Sequence, residues 1–261
     1  MLRPPCIAIG ALLLLAAPGA ALAERSAEKI LECVRTSRPS GNTLETVRMV
    51  QRDRTGAEIE RRASIYNGST RDGYRALWVR FLSPSELMGS SALMAVVDQK
   101  VQVFITLAGV PQPRRLRGAE SSSGLFGTDL SVEDFITLYG LNRPGKAEVL
   151  GDGSIDDRPT DIIRTMPERP EDSAYAYVVS NVDRESCTVV RAEMYEEAPD
   201  PRKTLTVATE SLEKILDGWL PRRVDVADAR DGTQTTLAVE TVFFGTDVVE
   251  LPFSVGAESD E

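Results

Sequence analysis

Asp152, Asp156, Asp157 and Asp161 form the densest group of carboxylates in the chain, and side chains of this type could hold a divalent cation. Their setting argues against it. They lie around Gly151, Gly153 and Pro159, as in a solvated turn, and the run lacks the glycine and closing glutamate of a calcium loop. The 261 residues include no histidine, which excludes Ser-His-Asp hydrolysis, the common zinc sites and a histidine pH switch. No activated nucleophile or base stands out elsewhere, so neither an enzyme nor a cofactor or metal is expected.

Two other residue sets carry chemistry. Cys33 and Cys187 are an even pair once Cys6 is lost with an N-terminal leader, and no C-x-x-C is present. In an oxidising compartment such a pair is expected to form a disulfide, with two buried thiols as the alternative. Arg114, Arg115 and Arg117 flank Leu116 on an expected strand. Period two puts Arg115 and Arg117 on one face and Arg114 on the other. That face could be a basic lip for a lipid phosphate or an acidic partner, or simply an edge kept soluble by charge.

The leader says where these groups work. Arg3 is the only charge in the first 23 residues, Ile7 to Ala17 is apolar apart from Gly10, and Ala21-Leu22-Ala23 is an A-x-A cleavage signal before Glu24. This reads as a signal peptide over 1–23 and a single mature domain over 24–261, with no other segment long enough to span a bilayer. Losing Arg3 takes the 30 basic residues to 29 against 40 acidic ones, a formal charge of −11. That disfavours nucleic acid and anionic surfaces as non-specific partners.

The elements that must position the candidate residues are mostly strands. Val47 and Met49, then Ile59, Ala63 and Ile65, alternate with polar neighbours, and the turn Asp53-Arg54-Thr55-Gly56 separates them. Asn67-Gly68 and Asp72-Gly73 punctuate the chain before further strands at Tyr74 to Phe81, Ala92 to Val97, Val101 to Leu107 and Arg114 to Arg117. Six more follow in the same style between Thr160 and Phe244. Helices are expected only at about Ser26 to Arg35 and from Ser131, whose hydroxyl can cap a turn with Asp134 three residues on. A mainly β (α+β) fold follows: a single antiparallel meander curling toward a barrel around one or two apolar helices. Leu77, Val79, Phe81, Val103, Ile105 and Leu107 could line a cavity between sheet and helix, although filling the core is the default for such positions. Three serines and two glycines around Leu125 and Phe126 suggest a mobile lid loop with an exposed apolar tip.

Phe81-Leu82-Ser83-Pro84 with Gly89 and Leu93, Arg114-Arg115-Leu116, and above all the run Leu125 to Asp134 resemble the outer-membrane lipoprotein-sorting protein family. The likeness continues through Asp183 to Glu193 and Trp219-Leu220-Pro221-Arg222. These proteins are similar to the periplasmic lipoprotein carriers LolA and LolB. The resemblance implies an unclosed β-barrel with a helical lid, in the periplasm of a Gram-negative bacterium. It further implies a non-enzymatic carrier of lipid or lipoprotein acyl chains, working with an inner-membrane transporter of the RND type. One departure concerns the cavity wall: where the family has a Trp-x-Tyr-Leu-Pro strand, this chain has Val103-Phe104-Ile105-Thr106-Leu107. The competing expectation is a sensor or adaptor that docks a membrane protein through the same half-barrel.

Overall fold

The structure, a computed structural model, describes residues 25–110, 112–141, 145–245 and 247, so the expected leader and its cleavage site lie outside it. Alternation of apolar and polar residues produces six strands in the first half: β1 (Thr43–Arg52), β2 (Glu58–Ser69), β3 (Arg75–Ser83), β4 (Ser91–Val97), β5 (Lys100–Thr106) and β6 (Arg114–Leu116). The second half supplies β7 (Gly145–Ile155), β8 (Arg158–Pro167), β9 (Tyr177–Asp183), β10 (Val189–Tyr195) and β11 (Lys203–Val207). It continues with the separate hairpin β12 (Leu212–Ile215) and β13 (Gly218–Pro221), then β14 (Arg223–Asp228) and β15 (Thr233–Phe244).

Thirteen of these strands form one antiparallel sheet in the order β6-β5-β4-β3-β2-β1-β15-β14-β11-β10-β9-β8-β7. The first and last strands pair at its centre, and β6 and β7 are its two unjoined edges. The sheet must curl. Val79 of β3 and Val190 of β10 share one apolar core although six strand spacings, roughly 29 Å in a flat sheet, separate their strands. The result is an unclosed barrel.

Two details depart from the sequence reading. Asn67-Gly68 lies inside β2, and the glycines beside Asp152 lie inside β7, where only Asp156 and Asp157 make the turn into β8, both at positive φ. An edge strand whose inner face includes Gly151 and Gly153 lacks the apolar alternation by which strands are recognised. Asp161 is buried in β8 and paired with Arg25 and Arg184, not gathered with the other acids.

Both expected helices form. Ser26 caps α1 (Ala27–Arg35), its hydroxyl accepting from Lys29 N. In α2 (Val132–Leu138), Ser131 and Asp134 make the reciprocal capping box. Six of the seven α2 residues are buried, so it is part of the core inside the curl.

Charge as well as apolar contact fixes α2 there. Lys203 of β11 donates to Asp134 at 3.0 Å, with 2% and 0% of the two side chains exposed. Burial alone would depress the lysine, but Asp134 and Tyr175 outweigh it and its pKa is raised. At the other end, Arg75 donates to the carbonyls of Tyr139 and Gly140, satisfying groups a helix C-terminus leaves open. Tyr139 in turn donates to Glu45 and lies beneath the Arg38 guanidinium, 4.0 Å from its ring centre.

Cys33 of α1 is bonded to Cys187, just before β10, with a Cα separation of 5.3 Å. The expected pairing is therefore present.

The bridge closes a 154-residue separation, for which chain entropy gives about 4–5 kcal/mol as an upper figure. Cys33→Ser should lower the unfolding free energy by up to that amount in denaturant melts. A change within experimental error would show that the link contributes nothing. Lys203→Met leaves Asp134 charged and buried, and should cost about 3–5 kcal/mol. Lys203→Met with Asp134→Asn, which keeps the cap acceptor, should recover most of this. Because the lysine pKa is raised, its contribution is complete below pH 10.5, its unfolded value, and is lost only as pH climbs through the folded value. Wild-type stability that fell between pH 8 and 10 while that of Lys203→Met stayed constant would contradict that assignment.

Candidate ligand cavity

The expected wall residues sit in the filled half of the barrel. Leu77, Val79 and Phe81 of β3, and Val103 and Ile105 of β5, point inward and are buried in the main core. Leu107 does not join them. It follows the end of β5 and is 53% exposed. The reason these positions make core and not cavity is the chain that crosses from β6 to α2. It carries Leu125, Leu130, Val132 and Phe135 into the same buried core as these residues of β3 and β5.

The Leu125–Phe126 segment is likewise not an exposed tip. Leu125 is buried, and Phe126 is half-buried with its ring 4.9 Å from that of Phe81 in an edge-on contact. Its serines explain the difference. Ser121 and Ser122 donate to the buried Glu133 carboxylate, so they act as internal partners and not as flexible filler. Gly127, at φ +75°, lies so close to Arg61 that a Cβ would come within 2.7 Å of its Nη2. Arg115 and Arg117 are exposed at the β6 edge, while Arg114 pairs with Glu120.

The open space is on the other side of α2. A cavity of about 150 Å³ lies between the two helices and the strands from β7 to β10. α1 contributes Leu31, Val34 and Arg35, and α2 with the residues after it contributes Glu133, Ile136 and Leu141. The sheet supplies Ala147 of β7, Ile163 and Met166 of β8, and Val178 of β9, with Tyr175 at one end. None of the wall residues expected from the sequence touches it.

The cavity exists because the second half of the sheet is under-filled. Inward positions of β7, namely Ala147, Val149, Gly151, Gly153 and Ile155, are only half-buried, whereas Ala63, Ile65, Val79 and Ala92 in the first half have no exposure at all. Gly140, at φ +60°, lets the end of α2 meet α1 closely. A Cβ there would stand 2.5 Å from the Val34 carbonyl oxygen.

The cavity has chemically distinct ends. At the inner end the Glu133 carboxylate accepts from Ser122 and Ser173, and burial pushes the Tyr175 hydroxyl pKa up to about 12. At the outer end stand Arg35, with 30% of its side chain exposed, and the exposed Lys146. The walls between are predominantly aliphatic. No charged pair faces a reactive group there, and no cluster of three or more potential metal ligands occurs among the described residues.

Sequence reasoning missed the ionic residues within the barrel. Glu45, Arg61 and Lys203 each occupy an inward position of a strand, in step with Val47, Ala63 and Leu205. A charge in phase with an apolar face was the available signal.

Comparison with known proteins agrees with this architecture. The sequence profile of a family described as uncharacterized protein matches residues 73–257, well over half of the chain. A DUF1329 family protein from Desulfovibrio piger is similar in structure at TM-score 0.72 and 19% identity, covering 85% of this chain and 95% of its own. A putative outer membrane lipoprotein-sorting protein domain from Vibrio parahaemolyticus also gives 0.72 at 19% identity, with coverages of 86% and 95%. A LolA superfamily protein from Nitrosomonas europaea gives 0.65 at 20% identity, with 85% and 95% covered. No curated protein matches. The profile match over residues 73–257 shows that the chain belongs to that family, and the solved structures show that it shares its fold with proteins described as DUF1329, lipoprotein-sorting and LolA superfamily proteins.

Proposed function

We propose that the protein is a non-enzymatic periplasmic carrier that holds an acyl chain of a lipid or lipoprotein in the cavity between α1, α2 and β7 to β10. The observation that carries this reading is the cavity itself: aliphatic walls left unfilled in a barrel whose other half is packed solid. Unfilled apolar volume costs stability, since its lining lacks contacts on one side. A folded protein gains by placing a ligand there. At about 150 Å³ the space is smaller than the ~300–1,000 Å³ of common ligand pockets, so it suits part of one chain and not a bundle of chains. Lipoprotein sorting is the role named for the similar Vibrio parahaemolyticus protein, and the same role fits this cavity. In this reading cargo comes from an inner-membrane transporter of the RND type.

The test is paired. Ala147 faces the cavity from the edge strand, so Ala147→Phe should fill it, abolish binding of a fluorescent fatty-acid probe and leave the thermal midpoint within a few degrees of wild type. Ile105→Glu, by contrast, buries an unpaired carboxylate in the packed half and should cost several kcal/mol. If Ala147→Phe still binds the probe, the chain lies elsewhere. A wild type that never binds it, yet captures a membrane protein stably, would favour the adaptor.

A further inference from the structure

The chain is acidic, with a formal charge of −10, yet the cavity opens where cations gather. Arg35 and Lys146 line the mouth directly. Arg38 and Arg75 stand just behind it, close enough to Arg35 that burial together with the two neighbouring guanidiniums lowers the pKa of Arg75. Of these four, Arg35 is paired with Glu32 and Arg38 with Glu45, while Arg75 is spent on the carbonyls ending α2. Lys146 has no ion pair among the described residues.

The opposite end holds a carboxylate, that of Glu133. Glu133 lies seven residues before Gly140, about 10 Å along α2, and its carboxylate accepts from Ser121, Ser122 and Ser173. That end is closed: Glu133, Ser173 and Tyr175 are all buried, whereas Arg35 and Lys146 reach solvent. An anion therefore meets attraction at the mouth and a fixed carboxylate at the bottom. An apolar chain between the two is indifferent to either.

We infer that the cavity selects a single-chain amphiphile with an anionic head, the chain lying along α2 and the phosphate or carboxylate held at the mouth by Arg35 and Lys146. This rests on the carrier reading and adds a head-group class and an orientation to it. Arg35, whose Nε and Nη2 donate to Glu32, offers its remaining guanidinium donors to such an anion, and Lys146 offers a mobile point charge.

Affinities for dodecyl phosphate, dodecyl maltoside and dodecyltrimethylammonium, each below its micelle concentration, test the assignment by calorimetry on the mature chain. Dodecyl phosphate should bind best and weaken as salt rises. In Arg35→Gln with Lys146→Gln, its advantage over dodecyl maltoside should fall about tenfold, the effect of ~1.4 kcal/mol of lost attraction. Lys146→Gln alone, at an exposed site, serves if the double variant melts early. Equal affinity for the three heads, or an advantage that survives the substitutions, overturns the head-group assignment and leaves the carrier intact. Failure of all three to bind overturns both. Inorganic phosphate that displaces dodecyl phosphate at equal concentration would show that the anion alone is recognised, which also overturns the proposal.

Discussion

The buried pair between Lys203 and Asp134 is the constraint around which the barrel is organised. A charged lysine with 2% of its side chain exposed is tolerable only because a carboxylate meets it, and that carboxylate belongs to the first turn of α2. The same Asp134 closes the capping box with Ser131. One side chain thus starts the helix and fastens it to β11, near the middle of the second half of the sheet. Without that anchor, nothing in aliphatic packing would set how deep α2 sits or how it is rotated. Non-directional contacts tolerate small slides, whereas a desolvated ion pair does not.

Fixing α2 divides the interior into unequal halves. The chain leaving β6 must reach α2 from the β6 edge, and on the way it sets Phe126 against Phe81 of β3 and buries Leu125 and Leu130 in the core. That side is filled as a matter of connectivity. The side facing β7 to β10 receives only the face of α2 that carries Ile136, plus α1, and β7 adds two glycines where larger side chains would project inward. The cavity is what remains when one helix of seven residues must cover two walls of a thirteen-stranded curl.

This explains what could and could not be read from the residues. Alternation revealed most strands, the helical spacing of Ala27, Ile30, Leu31 and Val34 revealed α1, Ser131 with Asp134 revealed α2, and cysteine parity revealed the bridge. These are local or combinatorial signals. The side on which the cavity lies is not local. Leu77, Val79 and Ile105 present the same pattern whether a ligand or Leu130 covers them, and the distinction depends on a loop connected through space. β7 escaped for the opposite reason: its inner face is poor in apolar residues because it borders open volume. The irregular alternation that suggests a turn is itself a trace of the cavity. The inward charges Glu45 and Lys203 were visible as phase anomalies, but their partners, Arg38 and Asp134, lie on other elements.

The walls also differ in how readily they could move to admit a chain. α2 is fastened at its start by Lys203 and at its end by Arg75, and α1 is tied by Cys33 to the chain just before Val189, itself a wall residue. β8, β9 and β10 are each hydrogen-bonded on both sides. β7 alone among the walls has one strand partner, half-buried inner residues and two glycines in its middle. Opening free energy is lowest where buried apolar contacts and ladder hydrogen bonds are fewest, so displacement of the β7 edge is the least costly route by which the cavity can widen beyond 150 Å³. Lys146 rides on that strand. A chain entering there would carry its head past the one cation at the mouth that has no ion pair among the described residues, so the geometry that eases entry also sets which end of the amphiphile stays outside.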